Sequence, residues 1–163
     1  MPKAGIQFQK RDGWMTPEEV WKKFGPFDYD PATTEEQAEK MDIPSIDTIE
    51  TDGLLTDWTK YHKIWCNPPF SRKFEFLKKA VGTVQKSSDT EIFFLLPIES
   101  MTTKKFHEVM REQFYTVYLP NGRVKFDDGS GKNSSPAFGS VVLRLSATEL
   151  GTEIRDWRLY GDR

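Results

Sequence analysis

The sequence predicts a three-layer α/β protein with a mainly parallel sheet and an antiparallel ending. Three observations carry this. Candidate strands and helices alternate through most of the chain, the order that builds parallel sheets with helical crossovers. Glu91–Leu96 (EIFFLL) is a continuous apolar run closed by Pro97, as expected of a strand buried on both faces. From Phe114 onward the chain runs largely in strands, which calls for antiparallel pairing at one side of the sheet.

Taken in order, Thr16–Phe24 reads as a helix, with Thr16 as N-cap, Pro17 at the first helical position and Glu19 completing a capping box. Gly25-Pro26 ends it. Phe27–Asp30 is a short strand, Thr33–Lys40 a second helix and Ile46–Thr51 a second strand. Lys63–Cys66 is a third strand, ending at Asn67-Pro68-Pro69. Phe74, Leu77 and Val81 lie at helical spacing, widened by Phe76 and Ala80, and give a helix over Phe74–Lys86. After Glu91–Leu96 come a helix at Thr102–Glu112 and strands at Phe114–Leu119, Arg123–Phe126 and Ser140–Leu145. A polar loop, 127–135, separates the last two, and Ala147–Arg158 reads as a closing helix.

The 163 residues suit one domain over 1–163 with a substantial core, residues 1–13 being polar and expected to be mobile. Aromatic residues are abundant at 13%, enough to serve a planar ligand as well as the core. One cysteine, Cys66, excludes an internal disulfide, and two histidines, His62 and His107, leave no Cys/His cluster for zinc. No metal is expected. The first residues lack the apolar run of a signal peptide, and no stretch approaches the ~20 apolar residues of a membrane span. A reducing cytoplasm, with no membrane partner, is the expected setting.

Asn67-Pro68-Pro69-Phe70 follows a strand directly, where ligands of open α/β sheets bind. An aromatic exocyclic amine is a poor nucleophile because its lone pair is delocalised into the ring. Two acceptors aimed at its N–H bonds make it more tetrahedral without a strong base. The Asn67 side-chain oxygen and the Pro68 carbonyl can serve. Pro69 stiffens the turn and offers no competing N–H. Phe70 supplies a flat face for an extruded base. Cys66, inside the strand, reads as an inert buried side chain. Asp28 reads as a solvent-facing strand residue, and Trp58 as a structural one.

The segment IWCNPPFS resembles the catalytic motif of amino methyltransferases, and WMTPEEVWKKF resembles their N-terminal Thr-Pro segment. With FDYDPAT, DGLLTDW, GRVKF and PAFGSVVL in order, the chain resembles the small phage-type DNA N6-adenine methyltransferases from Trp14 to Leu145. The resemblance implies a Rossmann-like methyltransferase fold, S-adenosylmethionine as cofactor and methyl transfer to the N6 amine of a flipped adenine in DNA. It implies that Thr16 and Pro17, with Trp14 as cover, contact the methionine end of the cofactor. Asp30, followed by Pro31 and Ala32, would meet cofactor hydroxyls or the amino group. Asp52 would accept from the cofactor's adenine amine, with Gly53 allowing close approach. A phage-type enzyme would work in the cytoplasm of a bacterial host, as a monomer or weak dimer.

The sequence departs from the general methyltransferase pattern at one place. Asp30-Pro31-Ala32-Thr33 stands where a glycine-rich cofactor loop is usual. The Asn-Pro-Pro-aromatic device also suits RNA amines and protein glutamine, and a weakened cofactor loop also suits a DNA-binding relative with little activity. Net charge is −2, so a DNA surface must be local. Arg72, Lys73, Arg123 and Lys125 are the expected phosphate contacts, with Lys78, Lys79, Lys104, Lys105 and Lys132 nearby.

Overall fold

A computed structural model describes residues 15–127, 133–134 and 138–161, with the backbone alone at 127, 133 and 134. Trp14, the segment 1–13, Lys132 and most of the 127–135 loop lie outside the described residues.

Among the described residues four helices and nine strands follow in order: α1 (Glu18–Phe24), β1 (Tyr29–Asp30), α2 (Glu35–Met41), β2 (Ser45–Ile46), β3 (Lys63–Cys66), α3 (Lys73–Lys86), β4 (Glu91–Pro97), α4 (Lys104–Val109), β5 (Tyr115–Pro120), β6 (Phe126–Asp127), β7 (Asn133–Ser134), β8 (Ser140–Ser146) and β9 (Glu153–Trp157). Seven strands form one sheet in the order β2-β1-β3-β4-β8-β5-β9, and β6 pairs with β7 as a separate ribbon. Within the large sheet only β8 runs antiparallel, between β4 and β5. The chain steps outward from β1 to β2, then returns to the other side of β1 as β3. Strand order reverses there, which opens a crevice at the carboxyl ends.

β4 explains the layering. Its alternate residues feed two cores: Ile92, Phe94 and Leu96 face α3 and α4, meeting Phe76, Leu77, Ala80 and Phe106. Phe93 and Leu95 face the other way, toward Val20 and Phe24 of α1, Ala38 and Met41 of α2, and Trp157. Burial of each large side chain contributes roughly 1.5–3 kcal/mol, so these two layers fix the sheet that carries the crevice.

Several element boundaries depart from the expectation. Thr16 does not cap α1: Pro17 is the N-cap, without a side-chain hydrogen bond, and the Thr16 hydroxyl serves elsewhere. α2 starts at Glu35, capped by Thr34, whose Oγ1 accepts from Gln37 N at 3.1 Å. The second strand stops at Ile46. Beyond it Thr51 Oγ1 accepts from Thr48 N at 2.8 Å, and Thr48 O accepts from Asp52 N, folding the chain into a turn. α4 is shorter than expected, preceded by a 3-10 turn over Ile98–Thr102. Residues 123–125 are not strand; pairing begins at Phe126.

The largest correction concerns the tail, which is β9 rather than a helix. It lies at the sheet edge, pairing Thr116–Pro120 of β5 with Glu153–Trp157 in parallel. Only Trp157 of β9 is buried, where its ring meets Phe24 edge-on at 5.3 Å. An outer strand with solvent on most of its side chains gives no alternating pattern to read.

Candidate active site

Three adjacent parallel strands end at the crevice, and each delivers one part of the expected site. β1 delivers Asp30, β3 delivers Asn67, and the turn after β2 delivers Asp52. A cavity of about 380 Å³ lies among them, within the ~300–1,000 Å³ range of small-molecule sites. Thr16, Asp30, Pro31, Ala32, Asp52 and Gly53 all line it. Pro17, expected beside Thr16, does not line it; it opens α1 instead.

Asp30 takes the place of a glycine-rich loop. Its Oδ1 accepts from Ala32 N at 2.9 Å, so a side chain, rather than a left-handed glycine, shapes the turn. The carboxyl is 2% exposed, and burial pushes it up to about 7, the Ala32 hydrogen bond acting in the opposite direction. Burial also pushes the neighbouring Cys66 thiol well up, with the Asp30 charge adding to the effect. Cys66 is fully buried and stays protonated, in keeping with an inert strand residue.

Asp52 adopts φ 60, a left-handed conformation that Asp tolerates better than most residues. Its Oδ1 accepts from Leu54 N at 3.1 Å and lies 3.7 Å from Arg72 Nη1. The following residue has no room for a side chain. A Cβ on Gly53 would stand 2.0 Å from the Pro31 carbonyl oxygen. The Trp58 indole N–H donates to the Gly53 carbonyl at 2.8 Å, and Lys79 Nζ donates to the Leu54 carbonyl at 2.9 Å. Trp58 is thus a buried structural support, and the half-buried Lys79 is tied to the Leu54 carbonyl.

Asn67 is the hinge of the site. Its Nδ2 donates to Thr16 Oγ1 at 3.1 Å, which directs Oδ1 the other way. Asn67 lines the large cavity and also a second, smaller pocket of about 40 Å³. Pro68, Phe70, Lys73, Leu95, Phe126 and Phe138 line the smaller one, while Pro69 faces the larger. The Phe70 and Phe138 rings lie 6.3 Å apart, and Lys73 Nζ sits 4.0 Å from the Phe70 ring centroid.

The four expected DNA contacts divide. Arg72 lines the large cavity and pairs with Asp52 and, at 3.4 Å, with Glu75. Lys73 lines the small pocket. Arg123 and Lys125 are exposed before β6; Tyr160 OH donates to the Arg123 carbonyl at 2.6 Å, and Lys125 Nζ lies 5.4 Å from the Tyr160 ring. Asp28 has a structural task that the sequence does not reveal: its carboxylate accepts from His62 N and Lys63 N, both at 2.9 Å, fixing the start of β3. His62 and His107 are exposed.

One lining residue is absent from the sequence reading. Gln37, on α2, is 7% exposed and donates through Nε2 to the Thr16 carbonyl at 3.3 Å. Its Oε1 is buried without a hydrogen-bond partner among the described residues. The available signal is a polar residue on the buried stripe Gln37, Ala38, Met41. Among the described residues no group of three His, Cys, Asp or Glu side chains could hold a metal ion, and no helix is long and apolar enough to cross a membrane.

The family profile described as DNA N-6-adenine-methyltransferase (Dam) matches residues 3–149. A protein of Escherichia phage T1 described as a DNA N-6-adenine-methyltransferase is 37% identical over 96 residues, covering 56% of this chain and 38% of that protein. A Haemophilus phage HP1 protein of the same description is 28% identical over 134 residues, covering 77% of this chain and 72% of its own length. The chain thus matches well under half of the phage T1 protein. A structure from Listeria monocytogenes, described as a class I S-adenosylmethionine-dependent methyltransferase, shares the fold with a TM-score of 0.52 at 13% identity, over 96% of this chain and 69% of that one. The profile spans nearly the whole chain, including every strand end that lines the two cavities, and the chain belongs to the DNA N-6-adenine-methyltransferase (Dam) family.

Proposed function

We propose that the chain methylates the exocyclic N6 amine of adenine in DNA, as one catalytic domain, with S-adenosylmethionine as donor. The observation that carries this is that Asn67 lines both cavities, the large one that holds the buried Asp30 and Gln37 and the small aromatic one. A transfer enzyme needs donor and acceptor on opposite sides of one group, and the relatives are described by this activity.

The large cavity fits the donor by size and chemistry, offering buried acceptors at Asp30 and Gln37 and a carboxylate at Asp52. When bound there, S-adenosylmethionine supplies an electrophilic methyl on a sulfonium. Thr16 and Asp30 serve the methionine side and Asp52 the adenine amine, with Pro31, Ala32 and Gly53 forming the wall between. Thr16 Oγ1 holds the Asn67 amide, so Oδ1 accepts one N–H of the target amine while the Pro68 carbonyl accepts the other. The nitrogen lone pair is thereby localised toward the methyl. Phe70 stacks on the flipped base. The small pocket has room for only a few waters, so base entry requires Phe70 and Phe138 to part. Lys73, Arg123 and Lys125 supply phosphate contacts, and Arg72 organises the cavity rim.

The test offers a labelled donor to duplex DNA, RNA and protein in parallel and maps the modified base. Label on adenine N6 of DNA supports the reading; label on RNA or glutamine, or on no acceptor, overturns it.

A further inference from the structure

Gln37 carries a polar atom that the fold leaves unserved. A carbonyl oxygen can only accept, so the 3.3 Å bond to the Thr16 carbonyl fixes Nε2 on that side. Oε1 is therefore the end left over, and it is buried with no partner among the described residues. Leaving a buried acceptor unpaired is destabilising, and a donor from a ligand removes that cost. Gln37 lines the large cavity, and α2 holds it there: Thr34 caps the helix onto Gln37 N, while Ala38 and Met41 anchor the same face in the core.

We infer that Gln37 binds the cofactor through its methionine portion, Oε1 accepting a hydrogen bond from the α-ammonium group; this rests on the S-adenosylmethionine reading above. Position selects that group among the donors of the cofactor. Gln37 bonds Thr16, and Thr16 bonds Asn67, so Gln37 belongs to the side of the cavity nearest the transfer point. Asp52, assigned to the adenine amine, takes no part in this chain of hydrogen bonds. An ammonium carries three N–H bonds and a positive charge, so it needs several acceptors, one of them anionic. Asp30 is the buried carboxyl lining the same cavity. An acceptor oxygen would repel the cofactor's carboxylate, which excludes that end of the amino acid.

Calorimetry with two probes isolates the contact: S-adenosylhomocysteine and its deamino analogue, which differ only in the ammonium. The wild-type chain is expected to prefer the former by at least about tenfold, and Gln37→Met to cut that preference severalfold, Asp30 keeping the remainder, with the analogue's affinity unchanged. In the wild-type chain the Gln37 side-chain amide resonance is expected to shift with S-adenosylhomocysteine and not with the analogue, a readout that needs no variant to fold. Equal weakening of both probes by Gln37→Met, or an amide resonance that responds alike to both probes, overturns the assignment while leaving the cofactor reading intact. Failure of the wild-type chain to bind either probe overturns both.

Discussion

On one side of Asn67 buried hydrogen-bonding groups, Thr16, Asp30 and Gln37, are set into the wall, with the Asp52 carboxylate at the rim; on the other the wall carries Phe70, Leu95, Leu96, Phe126 and Phe138. The two walls recognise by different physics. Polar groups out of water penalise any ligand that leaves them unpaired, so the larger cavity discriminates sharply between close analogues. Aromatic and aliphatic faces reward flatness and fit in small increments, so the smaller pocket tolerates change. Variants on the first wall should have selective effects and variants on the second graded ones.

Asn67→Ala removes the group common to both walls and should have the largest effect, lowering turnover by ~10²–10³-fold, the usual cost of losing one aligned transition-state partner. Cofactor affinity should change little, because Asn67 serves the acceptor amine. Single-turnover rates beside calorimetry check this, and substantial remaining activity would remove Asn67 from the mechanism.

Asp52→Ala should weaken cofactor binding by about 1–3 kcal/mol without altering DNA affinity. An unchanged dissociation constant refutes the contact. Phe70→Ala should act on the other wall alone, losing up to ~1–3 kcal/mol in DNA binding or turnover. The loss should shrink when the target adenine is mispaired, since less unpairing energy must then be recovered. Phe70→Tyr and Phe70→Trp should keep much of the activity. A purely structural Phe70 would show itself as a large drop in melting temperature with equal losses on paired and mispaired DNA.

Thr16→Val tests the hydrogen bond between the walls. Losing one neutral hydrogen bond costs about 1 kcal/mol, which should appear as a roughly fivefold fall in turnover, restored by Thr16→Ser. If α1 instead depended on Thr16 as a cap, melting temperature would fall and turnover per folded molecule would not.

Asp30→Asn should act on the stability of the ligand-free chain, with an effect that depends on pH. The folded carboxyl titrates at about 7, against 3.8 for an unburied one. Between those values the folded chain keeps a proton that the unfolded chain has released, so stability falls as pH rises through this window and levels off above it. Asparagine imitates the protonated form. Without ligand, wild type and variant should melt together near pH 4, and the variant should melt higher at pH 8. Coincident melting temperatures at both ends would show that the carboxyl ionises normally.

The parts of the molecule that were legible in the sequence share a trait: one-dimensional pattern and three-dimensional role coincide. Lys63–Cys66, the α3 stripe and the EIFFLL strand are apolar because they are buried, and the fold follows from them. Asn67-Pro68-Pro69-Phe70 stands out as a candidate because its residues are contiguous, and it follows β3 beside both cavities. What was misread depends on partners far away in the chain. The Thr16 hydroxyl looks like a helix cap until Asn67, 51 residues on, is seen to donate to it. Gln37 looks like an ordinary helical glutamine. Asp28 looks solvated, yet it holds the backbone 34 and 35 residues later. β9 has its outward residues in water, so nothing in its pattern separates it from a surface helix.

That outer strand also bears on how the protein behaves when concentrated. A sheet edge offers unpaired backbone groups to any second copy, and a net charge of −2 gives little long-range repulsion between copies. Glu153, Arg155 and Asp156 are exposed along β9, with Arg155 Nη2 2.6 Å from Glu153 Oε1. Strand-to-strand addition of another molecule would have to strip water from these charges, so the edge is its own solubility device. Its protection is a desolvation cost, which persists at 1 M salt even though the screening length shrinks to ~3 Å. Replacing these charges with apolar residues would remove the guard and leave exposed Ile154 to favour edge-to-edge association.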